Sequence, residues 1–206
     1  MSLRQEYGYL RDFWREGFGR SVWLCAGGFA AMVLAGYGAA LLLPAFREGI
    51  MQLIQQVMTT VTLNEAGTPT MLSLLCSNIF ATFNACLLGL VPFVYLPVLS
   101  LGVNAAILGV LAAQYQSSGL SMGLYFTALL PHGIFELPAL ILALAAALRL
   151  CRDMTRLCRK RETQPFGHTV ADCARVYALT VVPLLILASA LEAYVTPWLV
   201  GLFFSH

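Results

Sequence analysis

From Ser121 to Leu148 the chain reads SMGLYFTALLPHGIFELPALILALAAAL. A helix needs roughly 20 apolar residues to cross a hydrocarbon core about 30 Å thick, and this run exceeds that length. Within it stand two groups that lipid does not tolerate, His132 and Glu136. A charged side chain at the bilayer centre costs on the order of 3 kcal/mol or more, so such groups face protein or trapped water. Their four-residue spacing stacks them on one helical face. Pro131 and Gly133 flank the histidine, and Pro138 follows the glutamate. Proline withdraws a backbone donor and glycine loosens the turn, so the reading predicts a helix kinked or broken at Pro131-His132-Gly133.

The rest of the chain extends the same pattern. Of 206 residues, 59% are hydrophobic and 11% charged, with a mean hydropathy of +0.78. Soluble domains carry roughly 25% charged residues, so this is an integral membrane protein. The apolar runs lack the alternation of a transmembrane barrel, which leaves an all-α fold. Five spans are expected in one transmembrane domain over 1–206: about 22–43, 70–91, 98–115, 121–148, and 173–204, the last with breaks at Pro183 and Pro197. The first is too long for a cleavable signal and should be retained. Small residues mark helix-packing faces at Gly27, Ala31 and Ala35 with Gly28, Gly36 and Gly38 nearby, at Ala105, Gly109 and Ala113, and at Ala139, Ala143 and Ala147. They suit intramolecular packing or a homo-oligomer. Six cysteines read as small apolar filler.

Two further segments are amphipathic. Residues 1–20 interleave arginines and acids with Tyr9, Leu10, Phe13, Trp14 and Phe18, as a surface helix does. Over about 46–63, Ile50, Leu53, Ile54, Val57, Met58 and Val61 form one helical stripe, opposite Gln52, Gln55, Gln56, Thr59 and Thr60. That uncharged face suits an outer interface or another protein.

Orientation follows from the basic residues. Arg4, Arg11, Arg15 and Arg20 precede the first span; Arg149, Arg152, Arg156, Arg159, Lys160, Arg161 and Arg175 follow the fourth; Arg47 completes the twelve. The positive-inside tendency places 1–20 and a basic loop at 149–172 in the cytoplasm of a multi-pass cell-membrane protein. Five spans bring both clusters to that side. The 46–63 helix and the C-terminus are then extracytoplasmic.

Counting inward at about 1.5 Å per residue, Asn84, Asn104, His132 and Glu192 fall at similar depth, with Glu136 a turn deeper. These five are expected to meet in one buried polar cluster. The favoured role is interhelical glue, or a lock around the helix break. Proton movement or binding of a polar group is the next alternative. A metal site from His132, Glu136 and Glu192 has suitable ligand types but lacks the HExxH spacing, so no metal and no cofactor are expected. The exposed His168 and His206 read as solvated. There is no Walker loop, GxSxG motif or dinucleotide fingerprint, so no enzyme is expected, and no nucleic-acid partner.

The stretch Leu130 to Ala139 resembles the signature of the stage II sporulation protein M family. The similarity extends to Ser77-Asn78-Ile79-Phe80-Ala81 with Asn84 and Gly89, to Gly102-Val103-Asn104-Ala105, and to Leu191-Glu192-Ala193-Tyr194-Val195-Thr196-Pro197. The resemblance implies a multi-span prokaryotic cell-membrane protein. In spore-formers such a protein joins the peptidoglycan-degrading stage II sporulation proteins D and P as membrane anchor or organiser. It therefore implies a non-enzymatic scaffold, in contact with membrane lipid and with envelope protein partners. The alternative from the residues is a small proton-linked transporter or channel using His132, Glu136 and Glu192.

Overall fold

Without water to satisfy them, the backbone groups of each long apolar stretch pair best within a helix. The computed structural model describes residues 3–58, 70–161 and 165–204, and no strand occurs among them. Nine α-helices are described: α1 (Leu3–Phe13), α2 (Gly19–Leu42), α3 (Pro44–Met58), α4 (Met71–Leu88), α5 (Pro97–Ser117), α6 (Met122–Cys158), α7 (Phe166–Val176), α8 (Val182–Ala190) and α9 (Thr196–Phe204). Five helical stretches are long and apolar enough to cross a membrane: Gln5–Leu42, Met71–Leu88, Pro97–Ser117, Met122–Cys158 and Phe166–Leu202. The all-α membrane fold is as expected.

Helix α6 is the hub, touching α2, α4, α5, α7, α8 and α9. Ala139, Ala143, Leu144, Ala145, Ala146 and Ala147 are all buried on it. Of the kink or break expected at Pro131-His132-Gly133, the break does not form: Pro131, His132, Gly133 and Pro138 all lie inside one continuous helix. Each proline withdraws a single donor from the ladder, a loss that a long helix clamped by several neighbours absorbs. A Cβ on Gly133 would make only an ordinary contact with Leu129, at 3.5 Å.

The fifth span responds to its prolines differently. Immediately before Pro183 and Pro197 the helix widens into π turns, Tyr177–Val181 and Leu191–Val195. The amides of Val182 and Thr196 donate five residues back, to Tyr177 and Leu191. Widening the turn keeps the carbonyls paired where proline would orphan one. The expected breaks are therefore bulges in a continuous rod.

The two arginine-rich segments meet at one end of the bundle. The chain bends between α1 and α2 at Gly17, whose φ of 100° suits glycine alone. Arg175 Nε donates to Glu6 Oε2 at 2.8 Å, its other arm donates to Asp172 Oδ1 at 2.7 Å, and it lies over the Tyr9 ring. Arg149 Nε and Thr169 Oγ1 both donate to Asp153 Oδ2 at 3.0 Å. The expected basic loop at 149–172 is accordingly mostly helix. Arg149 to Cys158 continue α6, where basic residues complement the C-terminal dipole, and α7 begins at Phe166.

At the opposite end α3 folds back on the bundle, with Phe46, Ile50 and Met51 against Ala40, Val110 and Ala113. Arg47 donates to Ser117 Oγ at 3.2 Å, and the Tyr37 hydroxyl donates to Gln116. The expected stripe is rotated: Ile50 and Ile54 turn inward, while Leu53 is exposed. Starting at Pro44, directly after α2, leaves α3 little freedom to choose its facing. Residues 59–63 of that expected helix, Thr59, Thr60 and Val61 among them, lie outside the described residues, as does His206. His168 is exposed, as expected.

Close approaches explain two of the small-residue faces. A Cβ on Gly109 would sit 2.3 Å from the Val33 carbonyl oxygen, and one on Gly89 would sit 2.4 Å from that of Ala147. On α2 the expected face holds only in part: Gly27, Ala31 and Ala35 are exposed, while Gly36 is buried, where a Cβ would sit 3.1 Å from the Ala106 backbone, and Cys25, Phe29 and Ala40 are buried with it. Phe29 supplies apolar area that the small residues lack. Gly109→Val should therefore lower stability by about 1–3 kcal/mol or more, as overpacking does, and Gly27→Ala should leave it unchanged or slightly higher. Thermal unfolding in detergent measures both.

Candidate functional site

His132 and Glu136 sit one turn apart on α6, with 14% and 32% of their side chains exposed. His132 Nε2 lies 3.9 Å from Glu136 Oε2, beyond hydrogen-bond range. Glu192 reaches them from the second π turn, and one donor atom from each of the three lies within 4.8 Å of the others. His132 Nδ1 is fully buried and has no hydrogen-bond partner among the described residues. Buried polar atoms are nearly always paired, so this nitrogen marks the cluster as chemically incomplete.

The three side chains line a cavity of about 330 Å³. Asn104 joins them, its amide also donating to the Ser100 carbonyl at 2.9 Å. Ile54 of α3 contributes to the wall, which places the cavity toward the α3 end. A second cavity of about 180 Å³ shares Leu108, Leu111, Leu129 and His132 with the first, and adds Tyr115 and Tyr125. The Tyr125 hydroxyl donates to the Leu108 carbonyl at 3.1 Å. In the other direction the lining ends at Leu140, beyond which Ala143, Leu144 and Ala147 are wholly buried. No lysine or arginine lines either cavity among the described residues.

Four of the five expected cluster residues thus come together. Asn84 does not: the α4 residues at the cavity are Leu74, Ser77 and Asn78. Asn84 lies six residues further along, about 9 Å deeper and roughly 240° around the helix. Depth counting alone ignores that rotation. The i, i+3, i+4 spacing of Leu74, Ser77 and Asn78 was the signal that identifies the correct face.

Chemically, an imidazole and two carboxylates with no built-in cation can share protons, hydrogen-bond a polar guest, or hold a positive ion. All of these residues fall within 22–197, the range matched by the model of the family described as stage II sporulation protein M. No curated protein and no solved structure matches the chain. With the family model covering most of its length and the motif residues gathered around one cavity, the chain belongs to the stage II sporulation protein M family.

Proposed function

We propose that this protein is a non-enzymatic membrane scaffold that holds peptidoglycan-remodelling partners at the cell envelope. Its N-terminus and the arginine-rich end are cytoplasmic in this reading, and α3 and the C-terminus are extracytoplasmic. The observation that carries it is the docking of α3. Its apolar side is consumed by the bundle, and its outward edge offers Glu48, Gln52, Leu53 and Gln55. A helix meant for anionic lipid carries a basic face. An edge of amides, one acid and one leucine is better matched to hydrogen bonding and shallow apolar contact with a protein.

The runner-up, a small proton-linked transporter or channel, draws on the cavity at His132, Glu136 and Glu192. Transport requires a route to both ends. The close-packed alanines beyond Leu140 weigh against such a route.

Photo-crosslinking groups at Gln52 and Gln55 should capture wall-processing envelope proteins in native membranes, and a group at the lipid-exposed Leu34 should not. Equal capture from all three positions, together with proton-linked flux in proteoliposomes that Glu136→Gln abolishes, would favour the transporter instead. Orientation has its own test. Cys158 is exposed at the arginine-rich end. As the sole cysteine, it should react with a membrane-impermeant maleimide only after the cells are opened.

A further inference from the structure

We propose that His132, Glu136 and Glu192 bind one divalent transition-metal ion of the zinc class, pinning the fifth span to α6. This goes beyond the scaffold reading and does not depend on it. Three donors of nitrogen and oxygen type converge from two separate elements, all within 4.8 Å of one another. The His132–Glu136 pair, both on α6, stands at 3.9 Å, beyond the roughly 2.5–3.2 Å of a direct hydrogen bond. Ligands on a common zinc ion, with bonds of about 2.0–2.2 Å, stand about 3.4 Å apart in tetrahedral geometry. Small rotations about side-chain bonds close that difference.

A second observation points the same way. The imidazole is partly buried; its Nδ1 is buried with no hydrogen-bond partner among the described residues, and its Nε2 lies 3.9 Å from a carboxylate, beyond hydrogen-bond reach. One of the two ring nitrogens is thus available to an ion. The adjoining volume of about 330 Å³ leaves room for water in a fourth position. With no arginine or lysine in the lining among the described residues, the ion would supply the positive charge that two neighbouring carboxylates call for. The mixed nitrogen and oxygen donor set favours zinc, manganese or iron over the all-oxygen preference of calcium and magnesium.

The test uses the full chain purified in detergent, stripped with a chelator and titrated with zinc against a chromogenic competitor. The wild type should take up one zinc per chain and show a higher thermal midpoint with zinc than without. Glu192→Gln and His132→Ala should each weaken zinc more than about 100-fold, since loss of a ligand exceeds the 10–100-fold cost of losing a supporting partner. Glu192→His, which retains a ligand, should restore uptake and guards against a mere folding defect. Cobalt in place of zinc should give visible bands without thiolate charge transfer. Sub-stoichiometric zinc in the wild type, zinc retained by the triple variant His132→Ala/Glu136→Gln/Glu192→Gln, or a thiolate band from the cysteines would each overturn the proposal.

Discussion

Hydrocarbon offers nothing to an imidazole or a carboxylate, and α6 carries both near its middle. That exclusion organises the bundle. Helices α2, α4, α5 and the fifth span all touch α6, so the longest apolar helix is also the most enclosed. The alanines beyond the cluster allow this. With side chains no larger than a methyl at Ala139, Ala143, Ala146 and Ala147, neighbouring backbones come close enough to seal the bundle beyond Leu140. Above it, Leu129, His132 and Glu136 leave space that small residues do not fill. The same helix thus supplies a closed half and a hollow half.

The charged end follows a different economy of contacts. There Arg175 binds Glu6 of α1 and Asp172 of its own α7, and Arg149 binds Asp153 of its own α6 and lies over the Phe13 ring of α1. Exposed ion pairs stabilise little, but Asp153 is 11% exposed and accepts two hydrogen bonds. These contacts tie α1, α6 and α7 to one another at the arginine-rich end.

Much of this was legible in the residues. Span number, the shared end of the two basic segments, and the meeting of Asn104, His132, Glu136 and Glu192 all follow from apolar length and charge placement. What escaped was rotational. Depth is linear in residue number, but facing turns through about 100° per residue, and Asn84 lies both about 9 Å deeper than Asn78 at the cavity and roughly 240° around the helix from it. The exposed Gly27, Ala31 and Ala35 mislead for the same reason, since composition does not say which of two helix faces meets a neighbour. The unbroken course of α6 through Pro131 escaped because proline states a local cost, and tertiary clamping decides whether the helix yields to it.

The contrast between the two proline-bearing spans bears on the cluster itself. In α6 the helix runs on through Pro131 and Pro138, so His132 and Glu136 keep the one-turn spacing that aligns them. In the fifth span the π turn before Pro197 inserts an extra residue into one turn, and Glu192 is the second residue of that turn. An added residue shifts the facing of everything beyond it by about 100°, so α8 and α9 present different azimuths to their surroundings. The Thr196 amide and hydroxyl both donate to the Leu191 carbonyl, the latter at 3.3 Å, which holds the widened turn in shape. π turns are frequent at functional sites because they re-aim a side chain without breaking the helix. Glu192, the second residue of this π turn, is the carboxylate that joins His132 and Glu136 in the cluster.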